Sequence, residues 1–423
     1  MSGPRGNSGD YTGLMQLVAY GAQDIFITGN PQITFFKVVY RRHTNFAIEA
    51  IEQTLNGSTA FGGKATATIS RNGDLITNVW VEVVLTKAAA ADSTFFPAEA
   101  LLKTIELEIG GQRIDKHYDT WLRVYSELFR SADEKLAYER TVDFADPITE
   151  ASSTRRFFVP LVFFFNRNPG LALPLIALQY HEVKITLELA SSVDGINGSI
   201  GELKMFVDYV YLDTDERRRF AQVSHEYLIE QLQFVGDENT PVDASTAKTY
   251  NLRLNFNHPV KYLAWVVKGA KHGQFTGFNN STGALDTANT RVYYDELAPI
   301  DTVKLQLNGH DRFSERKGRY FSEVQTAQTI GCLNSAGIYL YSFALKPADH
   351  QPSGTCNFSR IDNATLQLKM KVGSKTGNVA SNVTSESLTS KNAADQLTTT
   401  KVFAVNYNIL RIMSGMGGLA YSN

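Results

Sequence analysis

The chain has 423 residues, 43% of them hydrophobic and 11% aromatic, with 25 Phe and 19 Tyr. It is too long for one ordinary core and too aromatic for disorder, so two or three strand-rich domains are expected. A net charge of -2 excludes bulk attraction to nucleic acid, because a chain that coats DNA is strongly basic.

The two cysteines, Cys332 and Cys356, are too far apart for CxxC chemistry and too few for a disulfide framework, which suits a reducing compartment. The start, MSGPRGNSGD, has no apolar segment of the signal-peptide kind. The strongest apolar run, Phe157 to Phe165, is far shorter than the roughly 20 residues a spanning helix needs, and Pro160 interrupts it. A soluble chain made without secretion is expected.

In chain order, residues 1–26 read as an arm. Glycines at 3, 6, 9 and 13 loosen its start, and Leu14 to Tyr20 form a short apolar segment able to dock as a helix. From Gly21 to Glu52 the β-branched and aromatic run Ile33, Phe35, Phe36, Val38, Val39, Tyr40 predicts the first buried strand. Lys64 to Arg71 alternates strictly, Asn72-Gly73-Asp74 predicts a hairpin turn, and Leu75 to Thr86 predicts a long buried strand. Leu101 to Ile109 predicts another, closed by Gly110-Gly111. Asp119 to Arg130 changes period: Trp121, Leu122, Val124, Tyr125, Leu128 and Phe129 recur at helical spacing. Strands resume at Phe157 to Phe165, Val183 to Leu189 and Leu203 to Leu212.

The second half repeats the first. Ile105 to Ile109 before Gly110-Gly111 matches Val303 to Leu307 before Asn308-Gly309. Tyr125-Ser126-Glu127-Leu128 matches Phe321-Ser322-Glu323-Val324, and Ile51-Glu52-Gln53 matches Ile229-Glu230-Gln231. Val183 to Leu189 matches Ala364 to Met370, and Val207 to Leu212 matches Val405 to Leu410. Such ordered matches argue for a duplicated domain of roughly 190 residues. Between the halves, Asp213 or Thr214 can cap a short linker helix. Lys268 to Leu297 and Val372 to Thr400 are polar and belong on an exposed surface. Each half is thus an antiparallel β-sandwich or barrel with a helix-bearing loop, and periodicity alone does not choose a strand order.

Chemical motifs are weak. Gly415 to Ala420 fits G-x-G-x-x-A, but no helix has room to follow, so a chain-end turn is the better reading. Ser314 to Lys317 and Lys375 to Gly377 mimic penicillin-binding motifs that short sequences match by chance. Asp115, His117 and Asp119 could line an extended segment around a metal, but no second ligand cluster supports them, and a polar loop leading into the helix is preferred. Arg41-Arg42 and Arg217-Arg218-Arg219 could grip phosphate, though surface arginines suffice in an acidic protein. Sequons occur at Asn56, Asn197, Asn280, Asn363 and Asn382. Without a secretory signal, chance is the preferred reading, since this composition yields many sequons; if glycans occur, Asn280 and Asn382 lie in the most exposed loops. No catalytic, cofactor or metal residue is predicted.

The segments LVAYGAQDIFITGNPQITFFKVVYRRHTNFAIEAIEQ, ISRNGDLI, DERRRFAQVSHEYLIEQ and LRIMSGMGGLA, spread over nearly the whole chain, resemble the major capsid proteins of large nucleocytoplasmic DNA viruses, most closely those of algal viruses. The resemblance implies an all-β fold of two consecutive eight-stranded antiparallel jelly rolls with short helices in loops. The first would span 27–212 and the second 225–423, joined by a linker at 213–224. It implies a homotrimer of pseudo-hexagonal outline tiling an icosahedral virion shell over an internal lipid membrane, assembled in the host cytoplasm. Its partners would be neighbouring capsomers and minor capsid and penton proteins, with no cofactor and no direct nucleic acid. The loops around Trp121 and Tyr320 and the loop 372–400 would then form outer towers. A carbohydrate-binding or carbohydrate-active β-sandwich is the alternative from another class. A penton or spike component would need one jelly roll, not two.

Overall fold

Leu75–Lys87 is apolar at alternate positions, and in the computed structural model it forms a central strand whose inward residues Val79, Val81, Val83 and Leu85 are buried. The structure describes residues 12–32, 36, 38, 40–87, 96–142, 154–193, 196–241, 246–268, 299–331, 337–371 and 399–421. Met1–Asn45 and Phe46–Asn423 are two units. In the first, α1 (Thr12–Val18) and α2 (Ile25–Thr28) flank a turn in which Asp24 accepts the Gly21 N–H at 2.8 Å.

In the second unit, residues 46–212 build two packed sheets. The eight main strands are β1 (Phe46–Gln53), β2 (Lys64–Thr68), β3 (Leu75–Lys87), β4 (Leu102–Ile109), β5 (Gln112–Tyr118), β6 (Thr154–Pro160), β7 (Val183–Leu189) and β8 (Ile196–Leu212), with short strands at Leu55–Gly57 and Leu173–Pro174 added at the edges. One sheet has the order β1-β8-β3-β6 and the other β2-β7-β4-β5, all antiparallel. Residues 225–413 repeat this with β9 (His225–Asn239), β10 (Thr249–Arg253), β11 (Pro259–Lys268), β12 (Ile300–Leu307), β13 (His310–Asp311), β14 (Ile338–Ser342), β15 (Ala364–Met370) and β16 (Thr399–Met413). Their orders are β9-β16-β11-β14 and β10-β15-β12-β13. Consecutive strands that alternate between facing sheets in this order make a jelly roll. The repeat extends to register: Ile105 pairs with Leu187, and the corresponding Val303 pairs with Leu368.

Among the described residues the α-helices of this unit are α3 (Pro97–Leu101), α4 (Asp119–Phe129), α5 (Ala132–Val142), α6 (Phe164–Arg167), α7 (Thr214–Gln222) and α8 (Gln325–Thr329). Asp213 caps α7, accepting the Thr214 N–H at 2.7 Å. A helical turn at Tyr320–Val324 runs into α8, so both halves carry a helix after the fifth strand.

Three expectations need correction. The strand expected at Phe157 to Phe165 ends at Pro160, and Phe164 and Phe165 open α6. The turn at Asn72-Gly73-Asp74 is not a hairpin, because β2 and β3 lie in different sheets. A Cβ on Gly73 would lie 2.8 Å from Tyr209 Cβ. Buried Asp74 accepts the Leu212 N–H at 2.9 Å and Arg217 Nε at 2.7 Å. The chain here crosses between sheets and anchors the linker helix. Nor do the described residues of the aromatic run at 33–40 form the first buried strand. The first strand of the jelly roll starts at Phe46, opposite Leu212. Among the described residues of that run, Phe36, Val38 and Tyr40 are exposed and none is in a strand.

Candidate functional site

The most elaborate polar chemistry of the molecule lies along the seam between its two halves. The sequence PVKYLAWVVK of β11 has almost no polar interruption, and every residue from Val260 to Val267 is buried. Its faces have different owners. Leu263, Trp265 and Val267 point into the second half's core. Tyr262, Ala264 and Val266 join Phe403 and Val405 of β16 in one cluster with Trp121, Leu128 and Phe163 of the first half. A strand buried on both faces reads as a continuous apolar run.

Helix α4 is the first half's main contribution. Trp121 is fully buried, 5.5 Å from Phe403 between ring centroids, and Phe129 stands 5.3 Å from Tyr262. The aromatic stripe of the loop around Trp121 is spent on the second half. On its other side Arg123 sits 3.5 Å above the Phe96 ring and bonds Glu139 at 2.9 Å and Glu127. Burial alone would lower its pKa, but Glu127 and Glu99 outweigh it and keep the guanidinium charged.

The Asp115, His117, Asp119 spacing, read as a polar loop, has another purpose. Asp115 and His117 lie on β5, buried, and Asp119 opens α4. Asp115 Oδ1 accepts the Leu232 N–H across the seam at 3.0 Å, while Gln231 of the second half donates to the Ile114 carbonyl. His117 Nε2 stands 2.9 Å from Asp115 Oδ2, an ion-pair approach without hydrogen-bond alignment, and its ring stacks on Phe163 at 4.6 Å. Asp119 pairs with Lys268 at 3.0 Å and Lys401 at 3.8 Å, both in the second half. Among the described residues no group of three or more His, Cys, Asp or Glu could hold a metal.

Next to this lies a three-residue clamp. Glu230 of β9 receives Arg167 of α6 at 3.0 Å and Lys261 of β11 at 2.6 Å. Arg167 also donates to the Val162 carbonyl and lies over the Tyr125 ring at 4.8 Å. Lys261 donates further to the Asp349 carbonyl at 2.7 Å. Its pKa falls below the ordinary lysine value because burial outweighs the attraction of Glu230.

The chain end completes the seam. Ser414 and Gly415 have φ of 52° and 80°, the left-handed pair that a tight two-residue hairpin requires. The turn leads into β17 (Met416–Leu419), paired with β16. This confirms a chain-end turn over a nucleotide motif. The glycines permit close approach: a Cβ on Gly417 would lie 2.6 Å from Leu178 Cδ2. His181 Nδ1 lies 2.9 Å from the Gly417 carbonyl, and Leu419 N–H donates to Gln112 at 3.2 Å.

Other candidates are placed as follows. Arg217 is consumed by Asp74, whereas Arg218, Arg219, Arg41 and Arg42 are exposed. Ser314 is exposed and Lys317 pairs with Asp301 at 2.7 Å; Lys375 lies outside the described residues. Asn280 and Asn382 also lie outside them, while Asn56 and Asn363 are exposed. No helix among the described residues is long and apolar enough to cross a membrane.

Two jelly rolls in tandem, locked by buried aromatic rings and ion pairs, define a double jelly-roll protein of the viral-shell class. The comparisons with known proteins agree. Residues 216–418 match the family model described as large eukaryotic DNA virus major capsid protein, and residues 34–213 match that of the major capsid protein N-terminus. The major capsid protein of Paramecium bursaria Chlorella virus 1 is 56% identical over 97% of this chain and 99% of its own. That of Pyramimonas orientalis virus is 50% identical over the same shares. A chain of the PBCV-1 virus capsid, quasi-atomic model, superposes with TM-score 0.82 at 52% identity, covering 92% of this chain and all of that one. The Faustovirus major capsid protein, 12% identical, shares the fold at TM-score 0.67, over 93% of this chain and 94% of its own. The chain belongs to the major capsid protein family of large eukaryotic DNA viruses, a structural family and not one of enzymes. The carbohydrate-active alternative finds no support in these relatives.

Proposed function

We propose that three copies of this chain close into a homotrimeric capsomer of pseudo-hexagonal outline that tiles an icosahedral shell. The observation that carries this reading is an asymmetry between equivalent sheets. The outer face of β9-β16-β11-β14 is covered by the first half, chiefly by α4. On the equivalent sheet β1-β8-β3-β6, Trp80 and Phe206 stack at 5.7 Å and are partly exposed, and Phe158 is 40% exposed. An open groove of about 850 Å³ runs beside Trp80, Phe158 and Pro160. The second half's counterpart of α4, the helical turn at Tyr320–Val324 with α8, presents Val324, 40% exposed. Seating that turn on the next chain's open face would repeat, between chains, the seam made within each chain. Such a heterologous contact closes after three steps, and two jelly rolls per chain make six.

Phe158→Asp and Val324→Asp lie on the two proposed partners. Each should lower the solution mass toward a single chain while strand content by circular dichroism stays unchanged. Unaltered mass in both variants would sink this arrangement.

Several finer readings go with it. Residues 46–212 and 225–423 serve as the two jelly-roll domains, with 213–224 as linker, and the expected domain start at 27 moves to Phe46, leaving 1–26 as arm. The apolar side chains Leu14, Met15, Leu17, Val18 and Tyr20 are exposed, which suits an arm that docks beneath the shell on neighbouring capsomers, minor capsid or penton proteins, or the membrane side. Assembly takes place in the host cytoplasm. Asn280 and Asn382, in the longest polar loops, are where a glycan would be accommodated. With net charge -2 the chain makes no direct use of nucleic acid.

A further inference from the structure

A cavity of about 220 Å³ opens at the seam, between α4 and α6 of the first half and β9, β11 and the 347–350 loop of the second. Its floor is aromatic: Tyr125 and Phe129 lie 5.2 Å apart, and Phe129 and Tyr262 5.3 Å. Its polar lining is Arg167, Asn168, Glu230 and His350 together with the two phenols. The balance of donors and acceptors there is one-sided. Both oxygens of Glu230 are taken, by Lys261 and Arg167. The Asn168 side-chain oxygen is taken by the Gly170 N–H.

The groups left over are donors. The guanidinium of Arg167 has five N–H bonds and spends one at Nε on Val162 and one at Nη1 on Glu230. The Tyr125 and Tyr262 hydroxyls have no hydrogen-bond partner among the described residues, although Tyr262 is only 1% exposed. Of the charged groups, Arg167 and Glu230 line the cavity and balance each other, with Lys261 and Asp349 as a second pair beside them. A surplus of hydrogen-bond donors that includes an arginine edge, in a partly closed cavity, is the complement of an oxyanion.

We infer that this cavity binds a small oxyanion, phosphate or carboxylate in class, held by the Tyr125 and Tyr262 hydroxyls and the free edge of Arg167. Because those residues come from both halves, the bound anion ties the seam together. It therefore stabilises the folded chain by an amount that grows with the logarithm of its concentration above Kd.

The test uses the full-length protein. Sodium phosphate is titrated by calorimetry, and thermal melts are compared in phosphate, acetate and chloride at matched ionic strength. The expected result is saturable binding of one phosphate per chain and a melting temperature raised in phosphate over chloride. Tyr125→Phe and Tyr262→Phe remove one hydroxyl each and keep the ring. Each should weaken binding by about tenfold, and both together should abolish it, with the melt in chloride unchanged. Acetate that displaces phosphate widens the site to carboxylates; acetate without effect restricts it to phosphate; either supports an oxyanion site. Equal melts in all three salts, or phosphate binding that persists in the double variant, would overturn the inference.

Discussion

Asp115 of the first jelly roll accepts, through Oδ1, the backbone N–H of Leu232 in the second at 3.0 Å, with both residues buried. A single carboxylate thus ties the strand β5 of one sandwich to the edge strand β9 of the other. Removing it leaves a buried N–H without a partner and takes away the carboxylate that His117 Nε2 approaches. We expect Asp115→Ala to cost about 2–3 kcal/mol of stability, and Asp115→Asn less, because the amide retains an accepting oxygen. Chemical denaturation of both variants checks the order. If Ala and Asn are equally harmless, Asp115 does not hold the seam.

The Glu230 clamp behaves differently from either cation. Glu230→Ala strands Arg167 and the almost fully buried Lys261 without a counter-charge, at a cost of about 3–5 kcal/mol. Lys261→Met removes an ion that burial already disfavours and keeps the Arg167 pair, so its cost should be well below that. A double-mutant cycle of Glu230→Ala and Lys261→Met should show coupling of roughly 1–3 kcal/mol. Additive effects would mean the two residues do not act as a unit.

The chain-end hairpin offers a steric test. Gly417→Ala places a methyl group 2.6 Å from Leu178 Cδ2 and 3.3 Å from Ile109 Cγ2. Both partners are fully buried, so the core must shift, at about 1–3 kcal/mol. The comparison is Gly236→Ala, where nothing lies within 4 Å but φ is +122°, so its cost is backbone strain alone. Proteolysis of the C-terminal segment should become faster in Gly417→Ala and not in Gly236→Ala. Equal protection in both would show that the hairpin does not depend on close packing against Leu178.

Alkaline pH probes the buried phenols. Burial pushes Tyr227 up to about 12 and raises Tyr262 and Tyr407 further above the ordinary phenol value. A folded pKa above the unfolded one, about 10, means that the folded state holds its proton longer. The stability this provides is complete below about pH 10 and is lost as pH rises through the folded values. Tyrosinate absorbance and circular dichroism, followed together, should show these phenols ionising in one step with loss of strand signal above roughly pH 10. Full ionisation with the fold intact would contradict the burial.

Much of this fold is written in local pattern. The E-L-E and K-L-Q strands before Gly110-Gly111 and Asn308-Gly309, and the alternating Val183 and Ala364 strands, sit in the same register in both halves. Duplicated local pattern is visible in one sequence because each copy must bury the same face. The seam was harder to read. Trp121 and its neighbours recur at helical spacing, but period alone does not say whose surface they cover. Asp115, His117 and Asp119 look like a polar loop because their partners, Leu232, Lys268 and Lys401, are more than a hundred residues away. One signal was available: the second half's PVKYLAWVVK is apolar at successive positions, whereas its counterpart LITNVWVEVVLT carries Asn78 and Glu82. A strand with no polar face has both faces covered. The turn at Gly73 misled for a related reason, since Asn-Gly-Asp specifies a reversal but not which sheet receives the next strand.

The central claim is that the open face of the first jelly roll is filled by the second jelly roll of another copy, three times over. Sedimentation equilibrium of the purified full-length protein tests it most directly. The account predicts a single species of 140.7 kDa, three times the 46.9 kDa chain, that persists on dilution. A stable 46.9 kDa species at all concentrations, or a mass of two chains, would contradict it.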